Sequence, residues 1–338
     1  MSNIQINPYT FGGGAVGGWV EVGRTTLSSA GTLDITGLPD KEYYMFLNHT
    51  LGTGYSGVWF NSDTGTNYSR RVSVDGASDV TAINQTFLQV GEGDGFPGFN
   101  VGYITNISDK EKLLMSWNTE AQTGAGGGNA PSRRDFVGKW ANTSSVISTM
   151  NNYNLDGSAL GYFDIGSEAI VLGWDTTDTH TTADNFWEEL DDSTWSSGDS
   201  WTSGTFTAKK YLWVQFYSKS AGGSNYCRFN GDSGTNYANR YSIDGGTDST
   251  IDTQPESYLG AIDGLSFNNL FIINNSANEK LLMANRVSRS TAGEGTAPTR
   301  MESVGKWANT SSQITSITIT TAGGGSFTAG QMKVWGSN

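Results

Sequence analysis

The sequence predicts an all-β protein made of two tandem antiparallel β-sandwich or jelly-roll domains that arise from an internal duplication. Three observations lead to this fold class. Long phrases occur twice in the same order, short apolar runs are separated by turn signals, and no long segment has helical periodicity with caps. A chain of 338 residues is also long enough for two ordinary domains, each with its own core.

The repeated phrases define the duplication. "GTNYSRR" begins at Gly65 and "GTNYANR" at Gly234, while "VGKWANTSSVI" begins at Val137 and "VGKWANTSSQI" at Val304. Other pairs keep the same order, including "NISDKEKLLM" with "NNSANEKLLM" and "APSR" with "APTR". We therefore divide the chain into a Gly-rich N-terminal arm (1–18), a first domain (19–174), a polar linker (175–186) and a second domain (187–338).

The strands are predicted from short apolar runs. "YLWVQFY" (Tyr211–Tyr217) is apolar on both faces, as expected for a strand inside a sandwich, and "SITIT" (Ser316–Thr320) alternates cleanly. The runs "VGYITNI", "LFIINN", "AIVLGW" and "MKVWG" indicate further strands. Turn signals such as "DTGTN", "VDGAS" and "TAGGGS" separate them, which is typical of a sandwich or jelly roll.

Composition excludes several classes of function. The net charge of −13 argues against a nucleic-acid surface, which needs clustered Lys and Arg, and against an anionic membrane. A single cysteine allows no intrachain disulfide. The N-terminus does not resemble a signal peptide, and no apolar stretch approaches the roughly 20 residues of a membrane span. We therefore expect no membrane insertion, and synthesis in a reducing cytoplasm.

Comparison of the two halves separates shared residues from unshared ones. The two histidines, His49 and His180, are not shared, so no histidine-based triad or metal site can occur in both domains. Cys227 corresponds to Val58 and is expected to be a small buried hydrophobe. The shared residues that we select as a structural signature are Asp63, Tyr68, Arg71 and Trp140 in the first domain and Asp232, Tyr237, Arg240 and Trp307 in the second.

Shared carboxylates offer little chemistry. Glu111 and Glu279, like Asp75 and Asp244, lie in turn segments, where carboxylates commonly accept hydrogen bonds from the local backbone. A glycosidase would need only two carboxylates, so acid–base catalysis remains the weaker alternative. We predict no catalytic residue.

Two loops could be interpreted as ion sites. "NSDTGTNY" (from Asn61) and "NGDSGTNY" (from Asn230) are rich in side-chain oxygens around a glycine. They resemble the start of a calcium loop and also the Asp-box hairpin of sialidases. The calcium loop lacks a downstream bidentate Glu and has one formal charge per copy. We favour a braced hairpin with Tyr68 or Tyr237 packed across it, and predict no cofactor, with calcium as the alternative.

The phrase "VGKWANTSS" places Trp140 and Trp307 in a polar setting. Each Trp could stack on a sugar ring, or it could close one end of the core. Because both copies keep the whole phrase, we favour closure of the core. Arg133 and Arg300 are shared as well, and in so acidic a chain we expect them, like Arg71 and Arg240, to pair with carboxylates or backbone carbonyls.

Several phrases together resemble a β-sandwich module of virion proteins from marine tailed bacteriophages. They are "RFNGDSGTNYANRYSIDGG", "NEKLLM", "APTR" and "VGKWANTSSQITSI", and the resemblance covers nearly all of residues 19–338. It implies a place in a viral particle and carries no established activity. The first domain departs most, with "SSVISTMNNYNLDGSAL" in place of the alternating strand near Ile314.

The resemblance and the composition together imply a non-enzymatic virion structural protein. We expect a capsid decoration, head fibre or other surface component that attaches through its N-terminal arm after assembly in the host cytoplasm. Its expected partners are other capsid or tail proteins and further copies of itself, with a trimer as one expected arrangement. The alternative is a tail-fibre module that binds a host-surface glycan or receptor.

Overall fold

The computed structural model describes residues 18–94, 96–121, 126–156, 159–179, 181–220, 222–261, 264–289, 293–323 and 325–338. It confirms that the protein is all-β with antiparallel sheets. Its strands form two similar sets of sheets, here called the first and the second unit. The predicted N-terminal arm lies, up to residue 17, outside the described residues.

In the part of the chain that the structure describes, the first unit has thirteen strands. They are β1 (Val20–Thr26), β2 (Leu33–Thr36), β3 (Tyr43–Thr50), β4 (Thr53–Phe60), β5 (Tyr68–Val74), β6 (Val80–Gln85), β7 (Leu88–Asp94), β8 (Gly98–Thr105), β9 (Lys112–Glu120), β10 (Ser132–Trp140), β11 (Thr149–Asp156), β12 (Ala159–Gly161) and β13 (Glu168–Trp174). An eight-stranded sheet has the order β1-β13-β3-β8-β9-β10-β5-β6. A five-stranded sheet has the order β12-β11-β4-β7, with β2 also paired to β11.

The second unit follows a 3-10 helix at Thr182–Asp184. Its strands are β14 (Glu188–Trp195), β15 (Ser200–Thr202), β16 (Tyr211–Ser220), β17 (Ser224–Phe229), β18 (Tyr237–Ile243), β19 (Ser249–Gln254), β20 (Ser257–Ala261), β21 (Gly264–Ile273), β22 (Lys280–Arg289), β23 (Thr299–Trp307), β24 (Ile317–Ala322) and β25 (Phe327–Ser337). The eight-stranded sheet runs β14-β25-β16-β21-β22-β23-β18-β19, and the four-stranded sheet runs β15-β24-β17-β20. The strand order of the large sheet is therefore the same in both units.

Each unit has a core to which both of its sheets contribute. In the first unit, Phe46 and Leu114 from the large sheet join Val58 and Leu88 from the small sheet in one buried cluster. In the second unit, Val214 and Leu282 join Ile319 and Cys227 in the same way. Alternate side chains of each strand supply this core, since successive residues of a strand point to opposite faces.

A third apolar cluster joins the two units. Its first-unit members come from the other face of the large sheet: Met45, Leu47, Phe99, Val101, Ile170 and Leu172. Its second-unit members include Tyr211, Trp213, Phe271, Leu281, Met283, Val304 and Trp335. We call this contact the junction. Phe186, at the end of the predicted linker, is buried in it beside Trp187, with ring centroids 5.0 Å apart.

Ion pairs surround the junction. Glu168 of the first unit accepts hydrogen bonds from Lys210 Nζ (2.9 Å) and Tyr211 Oη (2.8 Å). Asp248 of the second unit accepts Nε (3.2 Å) and Nη2 (2.7 Å) of Arg133. A bidentate Arg–carboxylate pair fixes orientation as well as distance, so these contacts set how one sheet lies on the other.

The junction generates a matched prediction for two equivalent methionines. Met283 is buried there, whereas Met115, at the same place in the "EKLLM" repeat, is half exposed. We expect Met283→Ala to lower the free energy of unfolding by about 2–5 kcal/mol, because it leaves a cavity, and Met115→Ala by less than about 1 kcal/mol. Chemical denaturation of dilute protein measures both, and equal losses would contradict the assigned burial.

His49 generates a prediction about pH. It is buried at the junction, and neither ring nitrogen has a hydrogen-bond partner within the described part of the chain. Burial and the positive charge of Lys210 lower the pKa of His49 from 6.5 to about 3, although the negative charge of Glu168 acts in the opposite direction. The unfolded chain therefore takes up a proton first as the pH falls, so stability present above pH 6.5 is lost between pH 6.5 and about 3.

We expect His49→Gln to remove this part of the acid sensitivity. A single group contributes a slope of at most about 1.4 kcal/mol per pH unit. Unfolding free energies of both proteins between pH 7 and pH 4 provide the measurement. A slope that is unchanged in the variant would show that His49 does not titrate as its burial requires.

Candidate interaction surface

The aspartate of the first repeated loop is saturated with hydrogen bonds. Asp63 Oδ2 accepts Trp140 Nε1 at 2.7 Å, and Oδ1 accepts the Gly65 amide at 2.9 Å. Asn67 Nδ2 donates to both oxygens, at 3.1 and 2.9 Å. Burial pulls the pKa of Asp63 upward, but the bonds from Trp140, Asn67 and Gly65 outweigh it and lower the pKa below its ordinary value.

The second loop repeats this arrangement. Asp232 Oδ2 accepts Trp307 Nε1 at 2.6 Å, Oδ1 accepts the Gly234 amide at 2.8 Å, and Asn236 Nδ2 donates at 3.0 Å. The pKa of Asp232 is lowered for the same reasons. Because each carboxylate already accepts this set of donors, a calcium ion would have to displace them, and the geometry is that of a braced turn.

The tyrosine that both loops share adds a further hydrogen bond to each loop. Tyr68 Oη accepts the Phe60 amide at 3.0 Å, and Tyr237 Oη accepts the Phe229 amide at 2.9 Å. Each ring stacks on the tryptophan of its own unit, with centroids 6.4 Å and 6.3 Å apart and an interplanar angle of 15° in both cases. Both tyrosines are buried.

The shared tryptophans lie in the cores, out of reach of a sugar. Trp140 and Trp307 are both 1% exposed. A glycine is required two residues before Trp140 for a steric reason. A Cβ atom on Gly138 would lie only 2.8 Å from Leu88 Cδ2 of the small sheet. The phrase "VGKW" therefore combines a close approach of the two sheets with an aromatic side chain anchored by the loop aspartate.

The shared arginines serve different purposes in the two units. Arg71 pairs with Asp79 at 3.2 Å on the surface, whereas Arg240 pairs with Asp75 of the other unit at 3.2 Å. Arg240 also donates to the Pro131 carbonyl at 2.9 Å. Arg300 pairs with Glu302 at 3.1 Å, in contrast to the bidentate pair that Arg133 forms across the junction. Sequence comparison finds these positions but does not distinguish their roles.

The other candidate catalytic or metal-binding residues have structural partners or buried environments. Asp75 and Asp244 each accept the backbone amide of the arginine in the "AP" phrase, at 2.8 and 2.9 Å. Burial raises the pKa of Cys227 to about 12, which disfavours the thiolate. Within the described ranges, no three His, Cys, Asp or Glu side chains come together as a metal group, and no helix is long and apolar enough to cross a membrane. His180 lies outside the described residues.

The surface that stands out is an apolar groove on the large sheet of the first unit. We call it the open face and define it by Ile83, Tyr103, Leu113, Met115 and Val137, which line an open cavity of about 830 Å³. Met115 lies between Tyr103 and Val137 on the neighbouring strands. Trp19, Tyr43 and Trp174 also line the groove, while Arg71 and Lys139 supply positive charge.

The open face has a buried counterpart in the second unit. The residues at the places of Leu113, Met115 and Val137 in the repeated phrases "EKLLM" and "VGKW" are Leu281, Met283 and Val304. All three are buried in the junction, whereas the first-unit residues are at least half exposed. A contiguous exposed apolar area of this kind typically marks an interaction site. The sequence contains the apolar residues but no signal that they are exposed.

Comparisons with known proteins assign no family. No family model and no curated protein matches the chain. Among solved structures, Ail, the attachment invasion locus protein of Yersinia pestis, covers 80% of this chain and 98% of its own, with 9% identity and a TM-score of 0.13. Neisserial surface protein A covers 83% and 97%, with 7% identity and a TM-score of 0.12. Scores this low do not indicate a shared fold, and nothing about this chain follows from them.

The braced loops generate a prediction about stability. We expect Asp63→Ala to lower the free energy of unfolding by about 2 kcal/mol, because it leaves the buried indole N–H of Trp140 without its charged acceptor. Thermal or chemical unfolding measures the loss. The control is Glu111→Ala, since Glu111 is also shared but pairs with exposed Lys139, and should change stability by less than about 0.5 kcal/mol. Similar effects of both changes would contradict a bracing role.

Proposed function

We propose that this chain is a non-enzymatic structural protein of a bacteriophage particle, built from two β-sandwich units that arose by duplication. It would be a capsid decoration, head fibre or other component of the particle surface. The observation that carries the proposal is the open face, an apolar sheet surface whose counterpart in the second unit is buried against a neighbouring unit. Such a surface suits assembly with other subunits.

The shared side chains support the same proposal. The loop aspartates, tyrosines and tryptophans brace turns and close cores, and Asp75 and Asp244 each accept the backbone amide of a shared arginine. Residues that both units keep are thus used for shape. The sequence resemblance to phage virion modules agrees with this use, and partners would be other virion proteins and further copies of the chain.

A specific observation favours a second candidate, binding of a host-surface glycan. Tyr43 and Trp174 pack together at the groove with ring centroids 5.3 Å apart, and Trp19 lines the same side. These aromatic rings lie in the same groove as Arg71 and Lys139 and would hold an acidic sugar by stacking and charge. This activity would belong to the groove and would not use the buried tryptophans of the repeated loops.

Two measurements test these functions. Mass spectrometry of purified particles of the phage that encodes the chain should detect the protein, and antibodies against it should label the particle surface in electron micrographs. Its absence from the particles would overturn the structural proposal. For the second candidate, a glycan array should show binding that Trp174→Ala weakens at least tenfold; no binding on the array would remove that candidate.

A further inference from the structure

The junction uses largely different parts of two similar sheet faces, although the equivalent residues Met45 and Trp213 are both buried in it. The first unit contributes the half that contains Phe99, while the second unit contributes the half that contains Met283. In each unit, the part of the sheet face that corresponds to the other unit's contribution lies outside the junction. In the first unit it is the open face. In the second unit it is a row formed by Tyr217, Phe267 and Val287, which lie side by side on β16, β21 and β22. We call it the distal row.

The distal row matches residues that are buried in the first unit. In the repeated strand register, Tyr217, Phe267 and Val287 occupy the places of His49, Phe99 and Thr119. Those three first-unit residues are buried, whereas the distal row is exposed; Phe267 is 44% exposed and Phe99 is 1% exposed. Each part of the sheet face that forms the junction thus has a counterpart in the other unit that is exposed.

Charged partners recur in the same way. Across the junction, Arg240 pairs with Asp75 and Arg133 pairs with Asp248. The repeated phrases place Arg71 at the equivalent position near the open face and Asp244 at the equivalent position near the distal row, and both are exposed. The other equivalent pair, Asp79 and Arg300, lines one cavity between the two units of the same chain. Arg71 and Asp244 therefore offer one pair of opposite charges in the arrangement that the junction already uses.

We propose that the open face binds the distal row of a second copy of this chain, in a head-to-tail contact that repeats the junction between molecules. Arg71 would pair with Asp244 of the second copy. Such a contact is heterologous, so it produces a closed ring or an open filament and not a two-fold dimer. This inference does not depend on a place in a viral particle.

Three substitutions make the contact between molecules weaker than the junction. Where the first unit has Leu47, Val101 and Ile170 in the junction, the second unit has Gln215, Asn269 and Lys333. The distal row therefore buries less apolar surface than its first-unit counterpart, and we expect reversible, concentration-dependent association.

Analytical ultracentrifugation of the full chain tests the proposal with two variants. Met115→Glu places a charge in the open face, and Phe267→Glu places one in the distal row. The wild type should gain mass as its concentration rises to the high micromolar range, and each variant alone should remain at the mass of one chain, 36.2 kDa. Circular dichroism and thermal melting establish that both variants are folded.

The decisive measurement is an equimolar mixture of the two variants. Each retains one intact surface, so the mixture should form a species with the mass of two chains and no larger species. Ile165→Glu, an exposed apolar position outside both surfaces, should associate like the wild type. Charge reversal at Arg71→Glu should weaken association at least tenfold, and Asp244→Arg in the partner copy should restore it.

Three results would overturn the proposal. The wild type could remain a monomer at all concentrations, which would leave the open face to another occupant such as a glycan or a different protein. The two variants could fail to recombine when mixed. Phe267→Glu alone could associate as well as the wild type, which would indicate that two open faces pair with each other.

Discussion

Burial of apolar side chains between the two large sheets is the constraint on which the rest of the molecule depends. A strand at the surface of a two-sheet unit normally alternates apolar and polar residues, because one face is solvated. Here β16 packs one set of side chains into the core of its own unit and the other set into the junction. This double burial explains why both faces of the first half of "YLWVQFY" are apolar, with Leu212 and Val214 in the core and Tyr211 and Trp213 in the junction. It also makes the stability of each unit depend on the other.

Two repeated sequence phrases each have two environments in this chain. "EKLLM" and "VGKW" build the buried side of the junction in the second unit and the open face in the first. Because the same residues make a dry contact in one place, they are chemically suited to make one in the other. This internal comparison gives the exposed surface a meaning that a single exposed leucine would not have, since isolated apolar residues on a surface are ordinary.

The repeated loops, in contrast to these two phrases, have the same role in both units. Each aspartate binds an indole N–H, a backbone amide and an asparagine amide with nearly the same distances. These contacts lie within one unit, where they join a turn to a tryptophan at the end of a strand. They are the same in both units, although the two units contribute largely different parts of their large sheets to the junction.

Local sequence determined the all-β class, the two similar sets of strands and the braced loops, because strand periodicity and turn chemistry act over a few residues. It also identified Arg71 and Arg240 as equivalent. The tertiary structure alone decided that Arg240 crosses to Asp75 while Arg71 stays at the surface, and that Met283 is buried while Met115 is exposed. The physical reason is that burial at the junction depends on which half of each sheet face meets the other, and equivalent residues in a repeat contain no information about that choice.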